Sequence, residues 1–137
     1  MTLIEIFGIL IVHWIADFIL QSDADAKGKS VYMKHLVSHT FLYSLFWVAP
    51  LLIYSILNDL YHVTAGKTLH NTFDFVIITF ILHTVTDYFT SRLNSKLWAA
   101  GKTHNFFVSI GFDQLLHYFQ LFITFYIIFK QTQLTNT

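Results

Sequence analysis

TFDFVIITFILHTVTDYFTS, residues 72–91, is a twenty-residue run that is mostly apolar and carries His83 and Asp87 in its second half. A helix needs about 20 such residues to cross the hydrocarbon of a bilayer. Residues 3–20, 36–57 and 106–129 have the same character. The polar connections between these runs are 21–34 (QSDADAKGKSVYMK), 58–71 (NDLYHVTAGKTLHN) and 92–105 (RLNSKLWAAGKTHN). Each can hold a turn or a short helix at the interface. The reading is one all-α polytopic membrane domain over residues 1–137, with four transmembrane helices forming a bundle of two hairpins. Pro50 predicts a kink in the second span, because it lacks an N–H and crowds the carbonyl four residues earlier.

Composition agrees. The chain is 55% hydrophobic and only 12% charged, with fifteen Phe, seven Tyr and three Trp. Soluble domains carry roughly 25% charged residues. Eight Lys or Arg balance eight Asp or Glu, so no net field draws the chain to a polyanion, and nucleic acid is not an expected partner. Without Cys there is no disulfide, thiolate site or Cys nucleophile. The first span resembles a signal peptide only in length. No Lys or Arg precedes it, and His13 and Asp17 interrupt it, so a retained helix is expected despite the Ala24-Asp25-Ala26 pattern.

Orientation follows from the basic residues. Lys27, Lys29, Lys34, Arg92, Lys96 and Lys102 lie in the first and third connections, against Lys67 and Lys130 on the other side. The positive-inside rule then puts connections one and three in the cytoplasm and both termini outside it, with Trp98 as an interfacial anchor. The expected home is a bacterial inner membrane.

The ionisable residues within the spans form a pattern. His13 and Asp17, His35 and His39, His83 and Asp87, and Asp113 and His117 are each four residues apart, and so share a helix face. At about 1.5 Å rise per residue, the four pairs fall within roughly 15 Å of one level. An Asp at mid-span costs about 2.5–3.5 kcal/mol, and no Lys or Arg lies within a span to offset Asp17, Asp87 and Asp113. Five His and three Asp supply eight nitrogen or oxygen ligands, enough for two divalent ions. Zinc is the first expectation, with manganese and iron equally compatible with mixed ligation. Two ions, three carboxylates and one hydroxide sum to zero charge. The expected ligands are His13, Asp17, His35, His39, His83, Asp87, Asp113 and His117, with His35 as ligand or support. Asp113 or Asp87 is the expected bridging, catalytic carboxylate, and Gln21, Asn94 and Gln114 would orient water or substrate.

HWIADF at 13–18 and HTVTDY at 83–88 repeat one motif, each followed by a helix with a second pair. The repeat suggests two hairpins related by a pseudo-two-fold along the membrane normal, each giving half of a binuclear site. Simpler readings compete. A lone membrane His is often only a hydrogen-bonding group, and Ser109, Gln120 and Thr124 read as packing polarity. Glu5 and Asp74 lie near the outer ends within reach of water. His62, His70 and His104 fall in connections and need no special role. The loop Lys and Arg are explained by topology, with contact to lipid phosphate as a secondary reading.

HWIADFILQ at 13–21, Lys27, HLVSHTFLYS at 35–44, HTVTDYF at 83–89 and FDQLLHY at 112–118 together resemble a family of small bacterial and phage membrane proteins catalogued as domain of unknown function 3307. The resemblance implies an integral helical membrane protein and brings no reaction with it. HLVSHT and HTVTD are also similar to the His-rich segments of a family of membrane-bound metal-dependent hydrolases, although Leu36 and Val37 replace its Gly and basic residue. In spacing alone, the HxxxD and HxxxH helices resemble the all-helical zinc-dependent phospholipases C.

The leading expectation is a metal-dependent hydrolase of a phosphoester or lipid-linked substrate near the cytoplasmic face, in contact with membrane lipids. The ions would lower the pKa of bound water and stabilise phosphoryl charge. A divalent-cation or proton transporter is the first rival; four spans leave little material for alternating access unless the chain forms a homo-oligomer. A di-iron membrane oxidase is the second, and a metal-free structural protein the remainder. Haem has no use for paired Asp at one depth.

Overall fold

Thr2 starts the first helix through a capping box: its hydroxyl accepts from the Glu5 N–H while Glu5 accepts from the Thr2 N–H. The computed structural model describes residues 1–58 and 65–131. Helix α1 spans Leu3–Trp14 and runs on as a single π turn over Ile15–Ile19. Ser22 caps the short α2, Asp23–Gly28, which fills the first connection. Then come α3 (Met33–Phe46), α4 (Val48–Asn58), α5 (Ala65–Ala99) and α6 (Thr103–Phe125), the last continuing as a π segment, Tyr126–Gln131. No strand occurs among the described residues.

The break between α3 and α4 follows from Pro50. Its ring bars the bond to the Phe46 carbonyl, and α3 ends at Phe46; the Trp47 N–H tightens back onto the Ser44 carbonyl at 3.2 Å. At its far end α5 outruns expectation. It continues through most of 92–105 and stops at a Schellman turn, with Lys102 N–H donating to Leu97 O and Gly101 N–H to Trp98 O. Gly101 holds φ at +67°, a backbone region that only glycine enters without strain. The third connection is therefore a turn of a few residues. Of the expected second connection, residues 59–64, including His62, lie outside the described residues, and 65–71 belong to α5.

Three helical stretches are long and apolar enough to cross a membrane: Met33–Leu57, Gly66–Ala99 and Thr103–Lys130. Their outward faces are apolar, with Phe41, Ile53, Phe73, Phe89, Phe112 and Phe119 all exposed, as a bilayer solvent allows. The chain is an all-helical membrane protein. Helix α5 is central: α3 and α6 pack along it, α1 packs on α6, and the π turn after α1 packs on α3.

Two layers fill the interior. Toward the ends that carry the second connection, Ile9, Trp47, Leu51, Phe75, Phe125 and Phe129 form an apolar core. Glu5 joins this end rather than water: Tyr54 donates to it at 2.9 Å and Lys130 lies 2.5 Å away. Toward the other end the buried residues include His13, Asp17, His39, His83, Asp87 and His117, with Leu36 and Ala16 among them.

Candidate metal centre

The i, i+4 spacing gives each helix one polar face, and packing turns these faces inward. His13, His39, His83, Asp87 and His117 are at most 2% exposed and Asp17 is 5% exposed. Asp17 sits in the π turn, where Leu20 N–H donates to Ile15 O at 3.0 Å across a five-residue step. Such single π turns gather at functional sites because they re-aim a side chain within a helix.

Asp17 and Asp87 lie at the centre, and each turns its two oxygens to different partners. Asp17 Oδ1 accepts from His39 Nε2 at 3.0 Å and lies 3.5 Å from His83 Nε2. Asp87 Oδ2 is 3.5 Å from His39 Nε2 and 3.8 Å from His83 Nε2, and the two imidazole nitrogens are 3.2 Å apart. On the other side, Asp17 Oδ2 is 3.8 Å from His13 Nε2, and Asp87 Oδ1 is 3.6 Å from His117 Nε2. Three buried groups have ligand atoms close enough to hold an ion: His13, Asp17 and His117; Asp17, His39 and His83; His83, Asp87 and His117.

These distances have a chemical meaning. Ligands about 2.0–2.1 Å from a tetrahedral ion lie about 3.3–3.4 Å from one another. Asp17 Oδ1, His39 Nε2, His83 Nε2 and Asp87 Oδ2 show separations of 3.0, 3.2, 3.5, 3.5 and 3.8 Å. Neither ring nitrogen of His117 has a hydrogen-bond partner, although the residue is 1% exposed. Leaving such atoms unengaged costs about 1–3 kcal/mol each. Nitrogen and carboxylate donors in these groups could hold a divalent ion.

Two of the eight expected ligands stand apart. His35 turns away to donate to Asp25 Oδ1 at 2.8 Å, because α2 folds back over the start of α3. Burial works against ionisation of Asp25, but hydrogen bonds from His35 and Ser22 hold its carboxyl below the usual range. Asp113 is in none of the three groups; its Oδ2 lies 3.7 Å from His117 Nδ1, near that ring but beyond a hydrogen bond. Gln114 links the parts: its Oε1 accepts from His13 Nε2 at 2.9 Å and its Nε2 donates to Asp17 and Asp113 at 3.3 Å. Of the remaining polar residues, Gln120 donates to Thr86, His70 pairs with Asp74 at an exposed site, and His104 is exposed.

The sequence reading missed Lys29. It sits in a connection, yet its ammonium reaches Asp87 Oδ2 at 2.7 Å with only 17% of its side chain exposed. The carboxylates therefore do have a basic partner, and topology does not fully account for the loop lysines. Burial opposes the charge on Lys29, but Asp87 and Asp17 hold the ammonium above its ordinary range. Its neighbour Gly28 makes the reach feasible: a Cβ there would lie 2.5 Å from His35 Cδ2. Tyr43 was missed too. It stacks on His83 at 3.9 Å between ring centres, and its hydroxyl shares a 2.7 Å hydrogen bond with His13 Nδ1. No periodicity marks either residue as different from an ordinary loop Lys or packing Tyr.

A cavity of about 580 Å³ opens beside the cluster. Asp17, Asp113, Gln114 and Lys29 face it from the buried side, and Gln21 and Asn94 also line it. A cavity with a few convergent polar groups is the general form of a small-molecule site.

No curated protein and no solved structure matches the chain. The family described as "Protein of unknown function (DUF3307)" matches residues 6–137, nearly the whole chain, and the motifs that carry the buried His and Asp all fall inside that match. The chain belongs to this family.

Proposed function

We propose that the protein is a membrane-embedded binuclear metal-dependent hydrolase, acting on a phosphoester at the cytoplasmic face. The observation that carries this reading is that Asp17 Oδ1 and Asp87 Oδ2 each lie 3.0–3.8 Å from both His39 Nε2 and His83 Nε2, beside an open cavity. These four atoms would hold one zinc-type ion. The opposite oxygens of Asp17 and Asp87, with His13 and His117, would hold the second, so both carboxylates would be shared between the ions. Bound there, the ions would supply a hydroxide near neutral pH and offset charge on the phosphoryl group. Asp113 would orient His117 and hold a proton at the cavity wall, while Gln114 would position the nucleophile's hydrogen bonds.

Helix α1 and its π turn complete the span count. Twelve residues and five more make 17, at the lower end of spanning length, and Leu3, Phe7, Ile11, Trp14 and Phe18 face outward. The four spans form two hairpins. A pseudo-two-fold exchanging α1 with α5 and α3 with α6 exchanges His13 with His83, Asp17 with Asp87, and His39 with His117. That operation swaps the two ion sites, and α1 on α6 corresponds to α5 on α3.

The test is hydrolysis of bis(p-nitrophenyl) phosphate and p-nitrophenyl phosphate by detergent-purified protein with Zn²⁺, Mn²⁺ or Fe²⁺. Turnover lost on chelation and restored by metal is expected. No turnover with any ion, together with passage of these ions through protein-containing liposomes, would replace the enzyme by a carrier.

A further inference from the structure

The cavity has two unlike sides. On the buried side, Lys29 supplies a cation, and Gln21 Nε2 and Asn94 Oδ1 are buried without hydrogen-bond partners. These are a charge, a donor and an acceptor aimed at one space. On the other side, Phe18, Trp98 and Phe107 line the cavity while remaining 50%, 61% and 62% exposed, so its apolar wall is continuous with the surface that faces lipid. A free, fully polar substrate has no use for that wall.

Charge decides the sign of the head group. Asp17 and Asp113 alone would repel an anion. With two divalent ions, the three buried carboxylates and the Lys29 ammonium leave two positive charges, or one after a hydroxide is counted. A phosphoryl group carries that opposite charge, and buried charge must balance.

We propose that this cavity binds a lipid phosphate, its phosphoryl head between Lys29 and the His/Asp cluster and its apolar chain against Phe18, Trp98 and Phe107. This rests on the reading of the cluster as a metal centre. In the reaction, water adds to phosphorus, the P–O bond to the lipid alcohol breaks, and the alcohol leaves with a proton as inorganic phosphate forms. The Lys29 ammonium donates to Asp87 and the residue lines the cavity, so its charge is shared between head group and cluster.

The test is binding to zinc-loaded, detergent-purified full-length protein, read by native mass spectrometry. Three probes are used: a non-hydrolysable phosphonate analogue of a long-chain phosphatidic acid, diacylglycerol of the same chains, and methylphosphonate. The phosphonate lipid should bind at least about tenfold tighter than either other probe. Lys29→Met should remove that advantage over diacylglycerol while Lys29→Arg keeps it, and Trp98→Ala should weaken the lipid without changing methylphosphonate. Equal binding of methylphosphonate and phosphonate lipid would overturn the lipid assignment; equal binding of diacylglycerol would overturn the phosphoryl assignment. Bound metal is counted on the same samples. Two ions per chain without lipid preference defeats this proposal alone, whereas a Lys29-dependent preference without ions defeats the metal reading and keeps the lipid site.

Discussion

Asp17 and Asp87 occupy matching places in the two halves of the chain, each four residues after a His, yet they are compensated differently. Asp17 is held by hydrogen bonds: from His39 at 3.0 Å and Gln114 at 3.3 Å. Asp87 meets a full cation, Lys29, at 2.7 Å. Asp113 in the second half faces the cavity beside His117, whereas His35, its counterpart in the first, is turned onto Asp25. What the halves share is a frame of ligand atoms. What they do not share, Lys29 and Asp113, lies on the cavity. The repeated residues build the site, and the unrepeated ones give it a direction.

The strongest way to break this comparison is to remove a shared carboxylate. Asp17→Ala or Asp87→Ala should empty both ion sites and lower hydrolysis by roughly three orders of magnitude, since metal activation supplies several kcal/mol. Loss of one ion only, measured by elemental analysis, would show that the carboxylates do not bridge. Next, His39→Ala and His117→Ala should each remove one ion of two, and lower the melting temperature together with it, because each ion bound only by the folded state stabilises by about 2.7 kcal/mol at 100 times its Kd. Unequal losses would break the two-fold reading.

The unrepeated residues should act on turnover rather than on metal count. Asp113→Asn is expected to retain both ions and lose about 10- to 100-fold in activity, the range for a group that orients a ligand. Gly28→Ala sharpens the role of Lys29. Its Cβ would meet the His35 ring, so activity should fall a few-fold and recover when His35→Ala is added, a coupling that a double-mutant cycle reads directly. Smallest is the effect of pH on α2. The Asp25 carboxyl is held below its usual range, so its contribution to stability is present at neutral pH and fades as pH falls through its folded pKa. Asp25→Asn should flatten the acid side of the stability profile, followed by thermal melts in detergent.

Much of this was legible in the residues because membranes punish buried charge. Ionisable pairs at i, i+4 in apolar runs had to face inward, and six of the eight expected ligand residues converge in the three buried groups. Pro50 likewise announced the break at Phe46. The rest depends on contacts that have no period. Lys29 reaches Asp87 across 58 positions of sequence, and Tyr43 joins His13 to His83 through ring stacking. The π turn at Asp17 and the departure of His35 to Asp25 are decided by packing of α2 and α3, not by spacing. Helix α5 overran the expected connection because nothing before Gly101 stops it.

The central claim is that one pair of carboxylates serves two ions. Elemental analysis of the detergent-purified wild-type protein tests it most directly. The account predicts two transition-metal ions per chain; a protein that is folded, as judged by its melting transition, and carries none would contradict it.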